Sequence, residues 1–144
     1  MFALLISVLG AAVYAVVSQV AFDAKPIFID EIVQTYQARL MAAGALAEHV
    51  GPFPEFFGAL NVLSIGDRQV GQFPPGGPAH LAVGVLLDAP WLVSPLFGGA
   101  AVYVFSRIVR HIERDSAIVL GATLLLAFAP FMVFMSASHM NHVP

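Results

Sequence analysis

Residues 2–22, FALLISVLGAAVYAVVSQVAF, form an apolar stretch without a single charged side chain. A helix that rises about 1.5 Å per residue needs about 20 such residues to cross the hydrocarbon core of a bilayer. A secretory signal peptide would have basic residues ahead of a shorter apolar core, whereas the first basic residue here is Lys25. The stretch therefore predicts a membrane-spanning helix.

The composition of the whole chain agrees with a membrane location. Of the 144 residues, 59% are hydrophobic and 10% are charged, whereas soluble domains contain about 45–50% apolar and about 25% charged residues. The net charge of −3 argues against a nucleic-acid-binding surface, which requires clustered Lys and Arg. Because the chain has no cysteine, disulfide bonds, a thiolate nucleophile and cysteine-ligated metals are excluded within it.

Two further apolar stretches follow, and together they predict an all-α membrane protein with three transmembrane helices. The predicted spans are at about residues 2–22, 90–109 and 116–137, and an external loop that holds amphipathic juxtamembrane helices covers about residues 23–88. Small residues recur along the first two spans, at Ser7, Ala11, Ala15, Ser94 and Gly98. Such residues let helix backbones approach closely in lipid, so we expect these spans to be part of a larger polytopic bundle.

Basic residues between the second and third spans predict the orientation. Arg107, Arg110 and Arg114 fall within eight positions, and short basic loops stay on the cytoplasmic side. The N-terminus is then expected inside, and the long loop outside.

The external loop begins with an acidic pair, Asp30 and Glu31, at the start of a helical pattern. The apolar residues of that pattern fall on one side of the helix, at Ile29, Ile32, Val33, Tyr36 and Leu40. They predict an amphipathic helix that lies on the outer membrane surface. Two interpretations of the acidic pair stay open. The carboxylates either cap the helix, which stabilises it by about 0.3–1 kcal/mol, or supply a general base at the membrane surface.

A block rich in proline and glycine, FPPGGP at residues 73–78, follows in the same loop. Proline removes backbone donors, so we expect the block to be non-helical and residues 79–87 to form a short interfacial or re-entrant helix. The block is either a rigid turn or a phosphate cradle built from backbone amides. Near the C-terminus, His139 and His142 have a spacing that suits either a metal site or, more commonly, a polar helix end, so no metal ligand is assigned.

Taken in order, these motifs resemble the N-terminal end of glycosyltransferase family 39, a family of polytopic membrane enzymes in the glycosyltransferase C superfamily. The family includes protein O-mannosyltransferases and lipid A aminoarabinose transferases. The resemblance rests on one span followed by the acidic pair, then on Tyr36-Gln37-Ala38-Arg39-Leu40, and then on the proline block and Ala89-Pro90-Trp91. It implies a helical bundle that transfers a hexosyl or pentosyl group from a polyprenyl-phosphate donor to a lipid, glycan or protein acceptor.

The resemblance also implies roles for individual residues. Asp30 is the expected catalytic base with Glu31 beside it, and the expected substrate contacts are Arg39, Pro75, Gly76 and His142, which stands where many relatives have an aspartate. Residues 1–144 would be the N-terminal fragment of one glycosyltransferase domain in a bacterial inner membrane, with its active site on the periplasmic side. A requirement for a divalent metal stays open, and no nucleic-acid partner is expected.

Two other classes of function fit parts of the pattern. The recurring small residues suit a non-catalytic membrane subunit, and a helix broken near residues 74–87 suits a transporter fragment. Transporters usually place polar or charged groups inside their spans, and charged groups are absent from the apolar stretches here.

Overall fold

Helices make up most of the structure, a computed structural model that describes residues 2–51 and 58–140. In chain order the elements are α1 (Phe2–Phe22), α2 (Ile29–Ala42), β1 (Glu48–His49), β2 (Val62–Ile65), β3 (Arg68–Gly71), α3 (Gly76–Leu86), α4 (Pro90–Ile112), α5 (Ser116–Ala127) and α6 (Pro130–Ala137). The chain is therefore mostly helical, as predicted. It is not all-α, because the loop between α1 and α4 contains a three-stranded antiparallel sheet in the order β1-β3-β2.

The sheet is built on a hairpin that the sequence analysis did not predict. Strands β2 and β3 pair from Val62 opposite Gly71 to Ile65 opposite Arg68. The two-residue turn between them begins with Gly66, whose φ of +63° is typical of tight hairpins. The branched side chains in β2 favour extended backbone, and β1 adds a short edge strand beside β3.

Within residues 2–51 and 58–140, two helices, α1 and α4, are long and apolar enough to cross a membrane. The predicted third span is broken into α5 and α6, which meet at an angle of 52° and make one span only if the bent pair is counted together. Pro130 explains the break, because proline lacks an N–H group and its ring clashes with the preceding turn. Helix α4 runs beyond its predicted end near residue 109 to Ile112, so Arg110 also belongs to the helix.

Small residues form the contact between α1 and α4, as the sequence predicts. A Cβ atom on Gly99 would lie 2.8 Å from the Cβ of Ala11 and 2.9 Å from the carbonyl oxygen of Ser7. A Cβ atom on Gly98 would lie 2.6 Å from the Cβ of Ser136 in α6. Carbon atoms normally pack about 3.5–4.0 Å apart. The two glycines therefore allow α4 to approach both α1 and α6 at a distance that any side chain would prevent.

Tyr14 connects α1 to the break between α5 and α6. Its hydroxyl donates a hydrogen bond of 2.6 Å to the carbonyl oxygen of Ala127, and its side chain is fully buried. Ala127 is the last residue of α5. Because the helix stops there, this carbonyl lacks the N–H partner that an unbroken helix would supply. Tyr14 supplies a donor in its place.

Helix α3 begins at Gly76, inside the block that was expected to be non-helical. The expectation was wrong for Gly76, Gly77 and Pro78, because N–H groups in the first turn of a helix have no helical acceptor and proline is tolerated there. The 11 residues of α3 rise about 17 Å, roughly half the thickness of a bilayer. The short helix predicted at residues 79–87 is confirmed with an earlier start.

Candidate functional site

Helix α2 carries the acidic pair and packs with its polar side inward. Its buried side chains are Glu31, Val33, Gln34, Thr35, Gln37 and Ala38. Its apolar side is on the surface, where Ile29 and Ile32 are 45% and 50% exposed. The predicted amphipathic helix is confirmed, although Val33, which was placed on the apolar side, lies in the interior. Helix α3 supports α2 through a small core of Ala38, Leu81 and Ala82.

Glu31 is the member of the acidic pair that caps α2. Its Oε2 atom accepts hydrogen bonds from the backbone N–H groups of Ile27, at 2.7 Å, and Phe28, at 3.1 Å. These donors stand immediately before the first helical turn, so the carboxylate closes the start of the helix. Its other oxygen, Oε1, is buried without a hydrogen-bond partner in the part of the chain that the structure describes. The capping interpretation therefore holds for Glu31.

Asp30 makes a different contact, with a residue far along the chain. Its Oδ1 atom accepts a hydrogen bond of 2.6 Å from the side-chain amide of Asn61, which is 31 residues away. Asn61 has a left-handed backbone conformation, and its carbonyl oxygen accepts a hydrogen bond of 3.0 Å from the N–H group of Gln72. Asp30 is half-buried and is linked through Asn61 to the segment that leads into the proline block.

The same link limits the distance from the acidic pair to Pro75 and Gly76. Gly76 follows Gln72 by four residues, so their Cα atoms are at most about 14 Å apart. A Cβ atom on Gly76 would meet nothing within 4 Å, so the start of α3 is open. Pro75 precedes it, and no side chain caps the helix there. The helix that begins in the proline block, α3, packs against α2, and its first backbone amides have no side-chain cap.

Arg39 lies away from Asp30, although both belong to α2. The two residues are nine positions apart, which in a helix corresponds to about two and a half turns and a rise of about 13.5 Å. Their side chains therefore leave opposite sides of α2. Arg39 is exposed in the last turn, where a basic side chain complements the helix dipole. The structure does not bring these two predicted site residues together.

Gln37 fastens α2 to the sheet beside the site. Its Oε1 atom accepts a hydrogen bond of 2.8 Å from the N–H group of Gly71, and its Nε2 atom donates one of 2.8 Å to the carbonyl oxygen of Leu46. Val33 lies one helical turn before Gln37, and a Cβ atom on Gly71 would lie 3.2 Å from the Val33 side chain. The glycine therefore allows β3 to approach α2 closely. These contacts hold the helix that presents Asp30.

His139, just beyond α6, is a buried residue near the acidic pair. It is 2% exposed. Burial lowers the pKa of His139 below its usual range, and the negative charge of Glu31 partly opposes this shift. His142 lies outside the described residues, and so do its predicted substrate contact and the His139–His142 pair. Across residues 2–51 and 58–140, no group of three or more His, Cys, Asp or Glu residues is arranged to hold a metal ion.

Several buried hydroxyl groups of the helices lack a hydrogen-bond partner among the residues that the structure describes. They belong to four helices and are Ser18 in α1, Thr35 in α2, Ser94 in α4 and Ser136 in α6. Buried polar atoms are nearly always satisfied in folded proteins, by ordered water where no protein group is available. Ordered water is therefore the expected partner of these four hydroxyl groups.

Sequence reasoning identified Asp30, Glu31 and the proline block but missed two neighbours, Asn61 and His139. A single asparagine in a loop carries no pattern, and its pairing with Asp30 depends on the unpredicted hairpin. For His139 the only signal was its spacing from His142, which did not indicate proximity to Glu31.

Proton transfer is the chemistry that this arrangement serves best. Asp30 is a half-buried carboxylate in a fixed position, whereas Glu31 is engaged by two backbone N–H groups. A carboxylate of the first kind is able to accept a proton from a bound hydroxyl group. Comparisons of the chain with protein-family models, with curated proteins and with solved structures found no match.

Proposed function

We propose that the chain is the N-terminal part of a membrane glycosyltransferase similar to family 39. It transfers a hexosyl or pentosyl group from a polyprenyl-phosphate donor to an acceptor on the external face of a bacterial plasma membrane. The observation that carries the proposal is the division of roles between the two carboxylates. Glu31 closes the start of α2, which leaves Asp30 fixed by Asn61 and not needed as a cap. A carboxylate in that position suits a general base.

In this mechanism Asp30 accepts the proton of the acceptor hydroxyl while the acceptor oxygen bonds to the anomeric carbon of the sugar. The bond between that carbon and the phosphate oxygen breaks, and polyprenyl phosphate leaves with the electron pair. The uncapped amides at the start of α3, beside Pro75 and Gly76, carry partial positive charge and favour the negative charge that develops on the phosphate. Arg39 is too far from Asp30 to act in the same step, so its proposed role is reduced to a contact with the substrate at the edge of the site.

The surroundings of Asp30 suit a donor that is held in lipid. Four apolar residues close to Asp30 in the sequence are exposed to about half of their surface. They are Ile27 (53%), Phe28 (53%), Ile29 (45%) and Ile32 (50%). Exposed apolar area costs about 25 cal/mol per Å² in water, whereas the apolar side of a surface helix enters the boundary between headgroups and acyl chains. On this proposal α2 lies on the membrane, and Asp30 sits at the depth of the donor phosphate.

The test is Asp30→Asn in the full-length enzyme, measured as sugar transfer from synthetic polyprenyl-phosphate donors in isolated membranes. Asparagine keeps the size of the side chain and an oxygen that can accept the hydrogen bond from Asn61. It cannot act as a base, so we expect transfer to fall by at least about a hundredfold while the amount of inserted protein is unchanged. Near-normal transfer would remove Asp30 as the base and with it the proposed mechanism.

Asp67→Asn is the matched control. Asp67 lies in the hairpin turn of the same loop, is exposed, and pairs with His49 at 3.0 Å. Its replacement removes the same charge from the same side of the membrane, so we expect transfer to stay normal. An equal loss in both variants would show that the charge of the loop matters and that Asp30 has no special role.

A further inference from the structure

A polar pocket lies at the opposite end of the helices, where α1 begins and α4 ends. It has a volume of about 420 Å³, within the range of small-ligand sites. Its walls are the first turn of α1 (Phe2, Ala3 and Leu4), the last turns of α4 (Tyr103, Ser106, Arg107 and Arg110) and Val119 of α5. Ser106 is 2% exposed, whereas the two arginines are open to the surroundings. We call this the headgroup pocket.

Neutral groups hold the two arginines of the headgroup pocket. Arg107 donates a hydrogen bond of 3.3 Å to the hydroxyl of Tyr103 and lies 6.0 Å from the centre of its ring. Arg110 donates to the carbonyl oxygen of Arg114 at 3.0 Å and to the hydroxyl of Ser116 at 2.9 Å. Both guanidinium groups are therefore held in place by neutral acceptors, and their positive charge is not neutralised by a carboxylate among these partners.

The carboxylates of the neighbouring turn are engaged elsewhere. Glu113 accepts a hydrogen bond from the N–H group of Asp115, and Asp115 accepts one from Ala117 at the start of α5. In the described ranges, the ion pairs are Lys25 with Asp23 and His49 with Asp67, so none involves an arginine. The N–H groups in the first turn of α1 add partial positive charge to the same pocket. An anion is the complementary ligand.

An apolar groove continues from the headgroup pocket along the contact between α1 and α4. It has a volume of about 300 Å³ and is lined by Leu4, Ser7, Val8, Ala11, Leu96, Gly99, Ala100 and Tyr103. Leu4 and Tyr103 line both cavities, so the groove adjoins the headgroup pocket. From Leu4 to Ala11, α1 rises about 10 Å. We call this the acyl groove.

We propose that the headgroup pocket and the acyl groove together bind one anionic phospholipid. Its phosphate lies between Arg107 and Arg110, and one acyl chain follows the groove between α1 and α4. Basic pockets between transmembrane helices recognise phospholipid headgroups through this combination of charges. A soluble phosphate would use the headgroup pocket alone, so the apolar groove directly beside the pocket favours a lipid. The proposal is independent of the glycosyltransferase activity.

The experiment measures lipid binding by native mass spectrometry of the protein in a neutral detergent. We expect one phosphatidylglycerol to bind at least about tenfold more tightly than phosphatidylcholine, because both lipids carry the phosphate but the cationic choline group of phosphatidylcholine is repelled by the two arginines. Arg107→Gln should lower that affinity about tenfold or more. It leaves the bonds of Arg110 to Arg114 and Ser116 intact, so the connection to α5 is preserved. Arg68→Gln is the control, because Arg68 is an exposed arginine in the loop on the other side.

A second variant tests the acyl groove separately. Ala100 is exposed in the groove, so Ala100→Phe fills it without disturbing a packed interior, and Ala12→Phe places the same side chain on an exposed position of α1 outside the groove. We expect Ala100→Phe to weaken phosphatidylglycerol binding and Ala12→Phe to leave it unchanged. Equal affinity for the two lipids, equal losses in Arg107→Gln and Arg68→Gln, or normal binding by Ala100→Phe would each overturn the proposal. Displacement of the lipid by about 10 mM inorganic phosphate would assign the pocket to a soluble anion and overturn it as well.

Discussion

Gly99→Ala tests whether the contact between α1 and α4 depends on the absence of a side chain. The new Cβ atom would lie 2.8 Å from the Cβ of Ala11 and 2.9 Å from the backbone oxygen of Ser7. Carbon atoms pack at about 3.5–4.0 Å, so the helices must separate locally by about 0.7–1.2 Å. Overpacking of this kind costs about 1–3 kcal/mol. Alanine recovers up to about 1 kcal/mol through its higher helix propensity, so the net loss of unfolding free energy is about 0–2 kcal/mol.

Gly121→Ala separates the two contributions. A Cβ atom on Gly121 in α5 would meet nothing within 4 Å, so this variant reports the propensity gain alone. Reversible unfolding in mixed micelles with increasing sodium dodecyl sulfate gives both free energies. We expect Gly99→Ala to be less stable than Gly121→Ala by about 1–3 kcal/mol. In the double variant Ala11→Gly/Gly99→Ala the two changes in helix propensity cancel. Its loss of unfolding free energy therefore reports the overpacking that remains against the oxygen of Ser7, and we expect it to be smaller than the difference between Gly99→Ala and Gly121→Ala. Equal stability of the two alanine variants would refute the close-packing argument.

Three further predictions address the break in the third span, the buried histidine and the orientation. Tyr14→Phe should lower the unfolding free energy by about 1–2 kcal/mol in the same assay, because the carbonyl of Ala127 loses its donor; a loss below about 0.3 kcal/mol would mean that water replaces the hydroxyl. Burial lowers the pKa of His139, so its contribution to stability is complete above the unfolded value of about 6.5 and is lost as the pH falls through that value toward the folded pKa. The unfolding free energy of the native protein should therefore drop more steeply from about pH 7.5 to about pH 5.5 than that of His139→Gln. The variant keeps His80, whose pKa is also lowered by burial, so the difference between the two curves reports His139 alone. Parallel curves would contradict this. A cysteine at Ser64 should react with an impermeant maleimide in intact cells and one at Ser116 only after the membrane is opened, and the reverse pattern would invert the orientation.

Hydrophobic periodicity and length were sufficient to predict the longer apolar helices. They predicted α1 and α4, the surface helix α2 and the small residues between the spans. The bend at Pro130 in the predicted third span was not foreseen, because the flanking residues are as apolar as those of an unbroken helix. The helices α5 and α6 make one span only if the bent pair is counted together. Likewise, Pro78 misled the prediction for the start of α3, since a proline that breaks a helix interior is harmless in a first turn.

The candidate site shows where such reasoning stops. An acidic pair at a helix start indicates two carboxylates close together, but it does not tell which one caps and which one remains available. That assignment depends on Asn61, whose position is set by a hairpin with one short turn and few branched residues. The proximity of His139 to Glu31 depends in the same way on contacts between residues that are more than a hundred positions apart, for which no local pattern exists.

The contact between α1 and α4 also affects the order in which the protein can assemble. Roughly 70 residues separate the end of α1 from the start of α4, and a ribosome that adds roughly 5–20 residues per second needs about 3–14 s to synthesise them. During that interval the surface of α1 that later receives Gly99 has no partner from this chain. The interval is longer still for Tyr14, because the carbonyl group that its hydroxyl binds lies 113 residues further along the chain. The newly made first helix therefore passes through a stage in which the hydroxyl of Tyr14 lacks the partner that it has in the folded protein, and an insertase that shields this face during synthesis would favour the yield of folded molecules.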